Sequence, residues 1–155
     1  MTYLTRSEAD TMALATALAP MLSSGDTVLL EGDLGVGKSV LARGIARGMG
    51  VTGPMPSPTF TLLIPYEGKK KLYHFDLYRL NDPDEFYAAG LDEFIGGDGV
   101  ALIEWPEMAD IDPVPALHVT ISRSAGGDEN EREIIIEAVG KDADASLLSE
   151  WSVEK

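Results

Sequence analysis

An α/β fold with a mixed β-sheet flanked by helices is predicted by three observations. Residues 27–31 form a short apolar run, followed by a glycine-rich loop and then by a helical pattern from Ser39 to Ala46. Two alternating segments on either side of a Gly-Lys-Lys-Lys turn read as an antiparallel hairpin. Compact apolar strands recur at 100–104, 117–122 and 133–139. A crossover unit joined to hairpins requires parallel and antiparallel pairing in one sheet.

Along the chain, residues 5–22 predict an amphipathic helix. Thr5 and Glu8 have capping-box spacing, Leu14, Leu18, Met21 and Leu22 recur on one face, and Pro20 disturbs the end. The first strand, glycine loop and second helix follow. Residues 50–58 carry glycines and prolines without apolar periodicity and predict a loop. Phe60, Leu62 and Ile64 alternate with Thr61, Leu63 and Pro65, and residues 72–78 supply the other hairpin strand. Residues 83–95 predict one or two short helices interrupted near Gly90. The strand at 100–104 ends in a carboxylate, Glu104. The last two strands are separated by a glycine-rich acidic stretch at 125–131, and a helix over 143–151 closes the domain.

At 155 residues the chain predicts a single domain, residues 1–155, with a sizeable core. It has neither a run of eighteen apolar residues nor a basic-then-apolar leader, so the expected location is the cytoplasm, with no membrane partner. The absence of cysteine excludes disulfides, thiolate catalysis and cysteine-ligated zinc. A formal net charge of −14 argues against a surface that grips nucleic acid, whose affinity comes largely from Lys and Arg on phosphates. Any link to RNA is therefore expected to be indirect, and solubility accounts for most of the charge. Arg43 and Arg47 lie four apart on the helix after the loop, while Lys69-Lys70-Lys71 reads as a solvated turn.

The run Gly32-Asp33-Leu34-Gly35-Val36-Gly37-Lys38-Ser39 fits the G-x-x-x-x-G-K-[ST] phosphate loop at every fixed position. Glycines allow turn conformations that bring backbone N–H groups against phosphate oxygens. Asp33, Leu34, Gly35, Val36 and Gly37 are thus expected to lie against the nucleotide. Lys38 would meet the β- and γ-phosphates, and Ser39 would offer its hydroxyl to Mg²⁺. The fold is accordingly P-loop NTPase-like. Phosphoryl transfer also needs a second magnesium contact and an oriented nucleophile. Glu104, closing a buried strand, is preferred on the magnesium side, and Asp76 is preferred for orienting water; the roles can be exchanged, and either residue can simply cap a strand end. Ser57-Pro58-Thr59-Phe60 has the makings of a switch segment, with Thr59 presenting a hydroxyl. Trp105 is divided between core packing and a contact role. His74 and His118 read as packed or surface strand residues, since no spacing joins them into a metal site.

The phosphate loop, Ser57-Pro58-Thr59-Phe60-Thr61-Leu62, His74-Phe75-Asp76-Leu77-Tyr78-Arg79-Leu80 and Leu102-Ile103-Glu104-Trp105-Pro106 occur in that order. Together with Asp82-Pro83-Asp84-Glu85-Phe86 and Gly90, they resemble the TsaE (YjeE) family over almost the whole chain. The resemblance implies a small ATPase, using ATP/ADP and Mg²⁺, that acts with TsaB-type and TsaD-type proteins in threonylcarbamoylation of the adenosine beside the tRNA anticodon. It meets tRNA only through that complex. It further implies phosphate and magnesium roles for Lys38 and Ser39, the second magnesium role for Glu104, and switch and hydrolysis roles for Thr59 and Asp76. Thr11 and Arg132 match places where family members approach the nucleotide, and Trp105 becomes a partner contact or site organiser. Family members often carry two threonines after the loop lysine; Ser39-Val40 keeps the magnesium hydroxyl and loses the second. A small-molecule kinase and a nucleotide-gated binding module with negligible hydrolysis are the alternative readings. A GTPase is disfavoured because the chain has no Asn-Lys-x-Asp element.

Overall fold

The structure, a computed structural model, describes residues 1–33, 35–58 and 61–153. Among these residues seven strands form one sheet: β1 (Thr2–Thr5), β2 (Thr27–Glu31), β3 (Leu63–Glu67), β4 (Lys71–Asp76), β5 (Gly99–Glu104), β6 (Ala116–Arg123) and β7 (Arg132–Val139). Their order is β1-β7-β6-β2-β5-β4-β3. The central strands β6, β2, β5 and β4 are mutually parallel, whereas β3 at one edge and β7 and β1 at the other pair antiparallel. Strands buried on both faces must be apolar at consecutive positions. Val28-Leu29-Leu30 and Val100-Ala101-Leu102-Ile103 satisfy this, and all are at most 1% exposed.

Strand alternation divides these residues between two cores. Val28, Leu30, Val100, Leu102, Leu117 and Val119 join one cluster, covered by helices α1 (Glu8–Leu18) and α2 (Lys38–Gly48). Leu29, Phe75, Ala101 and Ile103 join the other, covered by helix α3 (Pro83–Ala88) and the 3-10 turns at Leu91–Phe94 and Pro106–Ala109. Leu41 and Ile45 of α2 are fully buried, each worth about 1.5–3 kcal/mol relative to exposure.

The first helix is shorter than predicted. Thr2–Thr5 is an edge strand paired with β7, with Tyr3 opposite Ile134. The N-cap is therefore Ser7, whose Oγ accepts from the Asp10 N–H at 3.0 Å, and Thr5 belongs to the strand. Beyond Leu18 the chain tightens into a 3-10 turn, Ala19–Met21, with Pro20 in its first turn. The interruption at Gly90 stands as expected, with a left-handed φ of 74° between α3 and the following turn. Asp82 caps α3 through the Asp84 N–H at 2.9 Å, and Pro83 opens it. The closing segment, Ala145–Trp151, is 3-10 and kinked at Leu148, rather than the α-helix expected. Its two buried side chains, Leu148 and Trp151, are three apart, the spacing that a 3-10 turn superposes.

Helices α1 and α2 pack unusually close. A Cβ on Gly44 would lie 2.5 Å from the Ala15 Cβ and 2.8 Å from the Met12 carbonyl oxygen. One on Gly48 would lie 2.5 Å from the Ala19 Cβ and 2.7 Å from the Thr16 carbonyl oxygen. Thr16 Oγ1 also donates across the contact to the Gly44 carbonyl at 3.2 Å.

Candidate nucleotide site

In a parallel sheet, residues that leave the carboxyl ends of neighbouring strands meet in one crevice. Here β2 delivers the glycine loop, β4 delivers Asp76 and β5 delivers Glu104. Asp76 and Glu104 are register partners, and Glu104 also faces Leu30. The loop backbone demands glycine. Gly32 has φ +152°, and a Cβ there would stand 2.5 Å from the Ile121 carbonyl oxygen. Gly37, at φ +123°, is the N-cap of α2, and no side chain caps that helix start. An eleven-residue helix thus directs its N-terminal N–H groups into the crevice, a setting suited to an anion.

The resulting cleft has a volume of 620 Å³, within the range of small-molecule sites at about 300–1,000 Å³. Its walls carry the loop from Gly35 to Ser39, Thr11, Asp76, Glu104, Trp105 and Arg132. A side cavity of 290 Å³ continues past Ser39 and Glu104 to Met55, Ser57 and His74. Asp33, the second residue of the loop, is exposed and is not among the residues that line the cleft; its carbonyl accepts from the Val36 N–H at 3.3 Å. Leu34 and Thr59, expected in the nucleotide and switch roles, lie outside the described residues.

Lys38 is only 5% exposed. Its Nζ donates to the Gly32 carbonyl at 2.5 Å and sits 3.2 Å from the centroid of the Trp105 ring. Burial pushes the Lys38 ammonium below its ordinary pKa; the negative charges of Glu104, Glu107, Asp76 and Asp33 oppose that shift without cancelling it. Trp105 adopts a left-handed backbone, φ 59° and ψ 51°, which turns the chain out of β5 into the Pro106–Ala109 turn. Its ring is backed by Tyr78 at a centroid distance of 4.9 Å. Trp105 is therefore half-buried in the site wall, with both packing and contact functions open to it.

The two carboxylates are held differently. Asp76 Oδ1 accepts from the Tyr78 N–H at 3.1 Å, a local turn that fixes the side chain as the chain leaves β4. Glu104 Oε2 is 2.8 Å from His74 Nε2, both groups being buried. The sequence predicts a packed or surface strand residue at His74 rather than a ligand. It is packed, but it also contacts Glu104, and the available signal was alternation: Leu72, His74 and Asp76 share one face of β4.

Arg132 and Thr11 line the opposite wall. Arg132 Nε donates to the Val36 carbonyl at 2.7 Å, and its Nη1 donates to the Glu129 and Glu131 carbonyls at 2.6 and 2.8 Å. It thereby ties the start of β7 to the glycine loop. The Thr11 hydroxyl is engaged with that of Thr5 at 2.6 Å.

Among the described residues, no three His, Cys, Asp or Glu side chains gather as a metal cage. Magnesium at a nucleotide needs none, because one or two protein oxygens complete a shell supplied by phosphates and water. Ser39 and Glu104 line the same wall and offer hard oxygen donors of that kind. Lys38, Arg43, Arg79 and Arg132 add cationic groups around the cleft.

The family model for threonylcarbamoyl adenosine biosynthesis protein TsaE matches residues 5–134. A tRNA threonylcarbamoyladenosine biosynthesis protein TsaE of Bacillus subtilis is 42% identical over 133 residues, covering 84% of this chain and 81% of its own. Its counterpart in Treponema pallidum is 40% identical over 136 residues, covering 88% and 99%. The crystal structure of Bacillus subtilis YdiB superposes with a TM-score of 0.75 at 37% identity, over 90% of this chain and 86% of that one.

Proposed function

The chain belongs to the TsaE family, and from that membership we propose that it is a Mg²⁺-dependent ATPase serving the formation of threonylcarbamoyladenosine in tRNA. The observation that carries the reading is the meeting of Gly35–Ser39, the described end of the phosphate-loop motif, with two strand-end carboxylates, Asp76 and Glu104, in one cleft. A phosphate loop alone suits many nucleotide-binding proteins. The paired carboxylates supply what hydrolysis additionally requires.

In this reading the backbone N–H groups from Asp33 to Gly37, through Leu34, Gly35 and Val36, cradle the phosphates of ATP or ADP, and the α2 N-terminus adds its partial positive charge. Lys38 leaves the Gly32 carbonyl and the Trp105 face to neutralise phosphate oxygens. The Ser39 hydroxyl and the Glu104 carboxylate would hold magnesium, which when bound draws off charge that develops across the transferred phosphoryl group. Asp76 orients the attacking water and accepts its proton as the new bond to the γ-phosphorus forms and the bond to the bridging oxygen breaks, with ADP as the leaving group, and Thr59 serves the switch segment. Thr11 and Arg132 border the nucleotide, Arg132 by fixing the loop at Val36.

The chain acts as one ATPase domain over 1–155, in the cytoplasm, with TsaB-type and TsaD-type partners, and reaches tRNA through them. Its acidity, with a net charge of −14, fits that indirect route. No helix among the described residues is long and apolar enough to cross a membrane. The test is ATP turnover by the chain alone, then with the TsaB–TsaD pair, then with tRNA added. Turnover that rises stepwise supports the proposal. Failure to bind ATP, with no effect on multi-turnover tRNA modification, overturns it.

A further inference from the structure

We propose that His74 is the positioning residue for Glu104, the side chain through which that carboxylate is aimed at the metal corner of the cleft. The inference rests on the reading of the cleft as an ATPase site and adds a residue to it.

The register sets the arrangement. His74 lies beside Leu102 and Asp76 beside Glu104 on neighbouring parallel strands, so the imidazole sits one same-face position back from the two carboxylates and reaches Glu104 diagonally. Nε2 meets Glu104 Oε2 at 2.8 Å, with the side chains 6% and 10% exposed. A glutamate at a strand end has three side-chain torsions to settle. Restraint of one oxygen from behind selects among them and leaves the second oxygen to the cleft that Glu104 lines.

The imidazole's other nitrogen makes the contact informative. Among the described residues Nδ1 is buried without a hydrogen-bond partner. A histidine kept for its own packing ordinarily has both nitrogens satisfied, and an apolar side chain would fill the same space without an orphan. What His74 supplies and an apolar residue does not is the N–H toward Glu104. A carboxylate only accepts, so the ring nitrogen that faces it, Nε2, is the donor of the contact. His74 also borders the side cavity shared with Ser39 and Ser57.

The test compares His74→Leu with His74→Gln, whose amide nitrogen stands as many bonds from Cβ as Nε2 does. Three quantities are read in each: Mn²⁺ affinity in the presence of ADP by electron paramagnetic resonance, ADP affinity in EDTA, and kcat for ATP. In His74→Leu, Mn²⁺ affinity and kcat fall by about 10- to 100-fold, the usual cost of losing a partner behind a metal ligand, while ADP affinity in EDTA holds. His74→Gln recovers most of both losses. Wild-type Mn²⁺ affinity in His74→Leu, or equal impairment in the two variants, overturns the proposal.

Ring ¹⁵N spectra provide a readout in the unaltered chain, whose only histidines are His74 and His118. A His118→Gln variant assigns the two. A proton on Nε2 of His74 is expected, and an Nε2 without one overturns the proposal even if His74→Leu does not fold. Neither the spectra nor Mn²⁺ binding requires turnover. Failure of ATP hydrolysis in the unaltered chain would count against the functional reading, whereas these results decide the role of His74.

Discussion

Lys38 is stacked on Trp105, its ammonium 3.2 Å from the centre of the indole. The cation that the phosphate-loop pattern assigns to a ligand is held by an aromatic face and, on its other side, by the Gly32 carbonyl. A desolvated cation–π contact is worth about 2 kcal/mol, a modest hold beside the charge of a nucleoside triphosphate. A phosphate bound in the loop, as proposed above, would therefore compete with the indole for one ammonium group.

Binding should accordingly be visible at Trp105. ADP or ATP is expected to change the intrinsic emission of the protein, and Trp105→Phe should abolish most of that change while Trp151 still fluoresces. Lys38→Ala should weaken nucleotide binding, measured by calorimetry, by tenfold or more, equivalent to about 1.4 kcal/mol. An emission change that persists undiminished in Trp105→Phe would break the connection.

The same burial gives a pH dependence of defined sign. The Lys38 pKa is lowered from 10.5 in the folded protein, so between the lowered value and 10.5 the unfolded chain binds more protons than the native one. Stability contributed by this group therefore rises with pH through that window. Urea unfolding across the alkaline range should show a smaller upward contribution in Lys38→Met than in the parent. Nucleotide phosphates should raise the pKa again, so binding within the window takes up protons, detectable by calorimetry in buffers of different ionisation enthalpy.

Asp76 and Glu104 should separate by metal dependence. Glu104→Gln is expected to lower Mn²⁺ affinity and turnover together, by at least the roughly 10- to 100-fold that a supporting residue costs. Asp76→Asn should lower kcat by about 10²–10⁴-fold, the range for a positioned acid or base, with Mn²⁺ affinity retained. The assignment is exchanged if the metal defect appears in Asp76→Asn instead.

Arg132 should act through the loop. Its bond to the Val36 carbonyl makes Arg132→Ala a loosening of the phosphate cradle. The expected result is weaker ADP and ATP binding by about 1.5–3 kcal/mol, typical of a hydrogen bond with one charged partner. Turnover at saturating ATP should change little, and a pure kcat defect would contradict this role.

Gly44→Ala should destabilise the protein without touching the cleft. The added Cβ meets Ala15 and the Met12 carbonyl, and overpacking of this kind costs about 1–3 kcal/mol. At roughly 2–4 °C per kcal/mol for a chain of this size, the thermal midpoint should drop measurably. Midpoints by calorimetry that coincide with the parent would show that the helices separate freely.

What was legible in the sequence was local or periodic. The phosphate loop is eight consecutive residues, and the strand ahead of it and the helix behind it are each defined by neighbours in the chain. Glu104 was readable as a strand-end carboxylate because the apolar run from Val100 stops at it, whereas Asp76 fell inside the segment 72–78 and it is the structure that ends β4 there. Thr2–Thr5 was not readable: four residues carry too little pattern, and its pairing with β7 is decided by the far end of the chain. The Ser7 cap escaped for the same reason, since Thr5 offered a capping box until the edge strand claimed it. The His74–Glu104 and Lys38–Trp105 contacts depend on which strands become neighbours and on one left-handed residue, neither of which periodicity encodes. The 3-10 form of the last segment follows from docking Leu148 and Trp151 together, a tertiary choice.

The glycine contacts between α1 and α2 have a mechanical consequence. Ala15 of α1 and Ala19 of the turn after it seat so closely on Gly44 and Gly48 that sliding of one helix along the other is sterically opposed, and α2 carries Lys38 and Ser39. Such a pair is hindered from registering, by sliding within itself, whether a triphosphate or a diphosphate is present. Under the proposed function, the difference would then be reported across the cleft, by the wall that carries Asp76, Tyr78 and Trp105. One side of the site is an anvil, and a partner protein that senses the nucleotide should read the other.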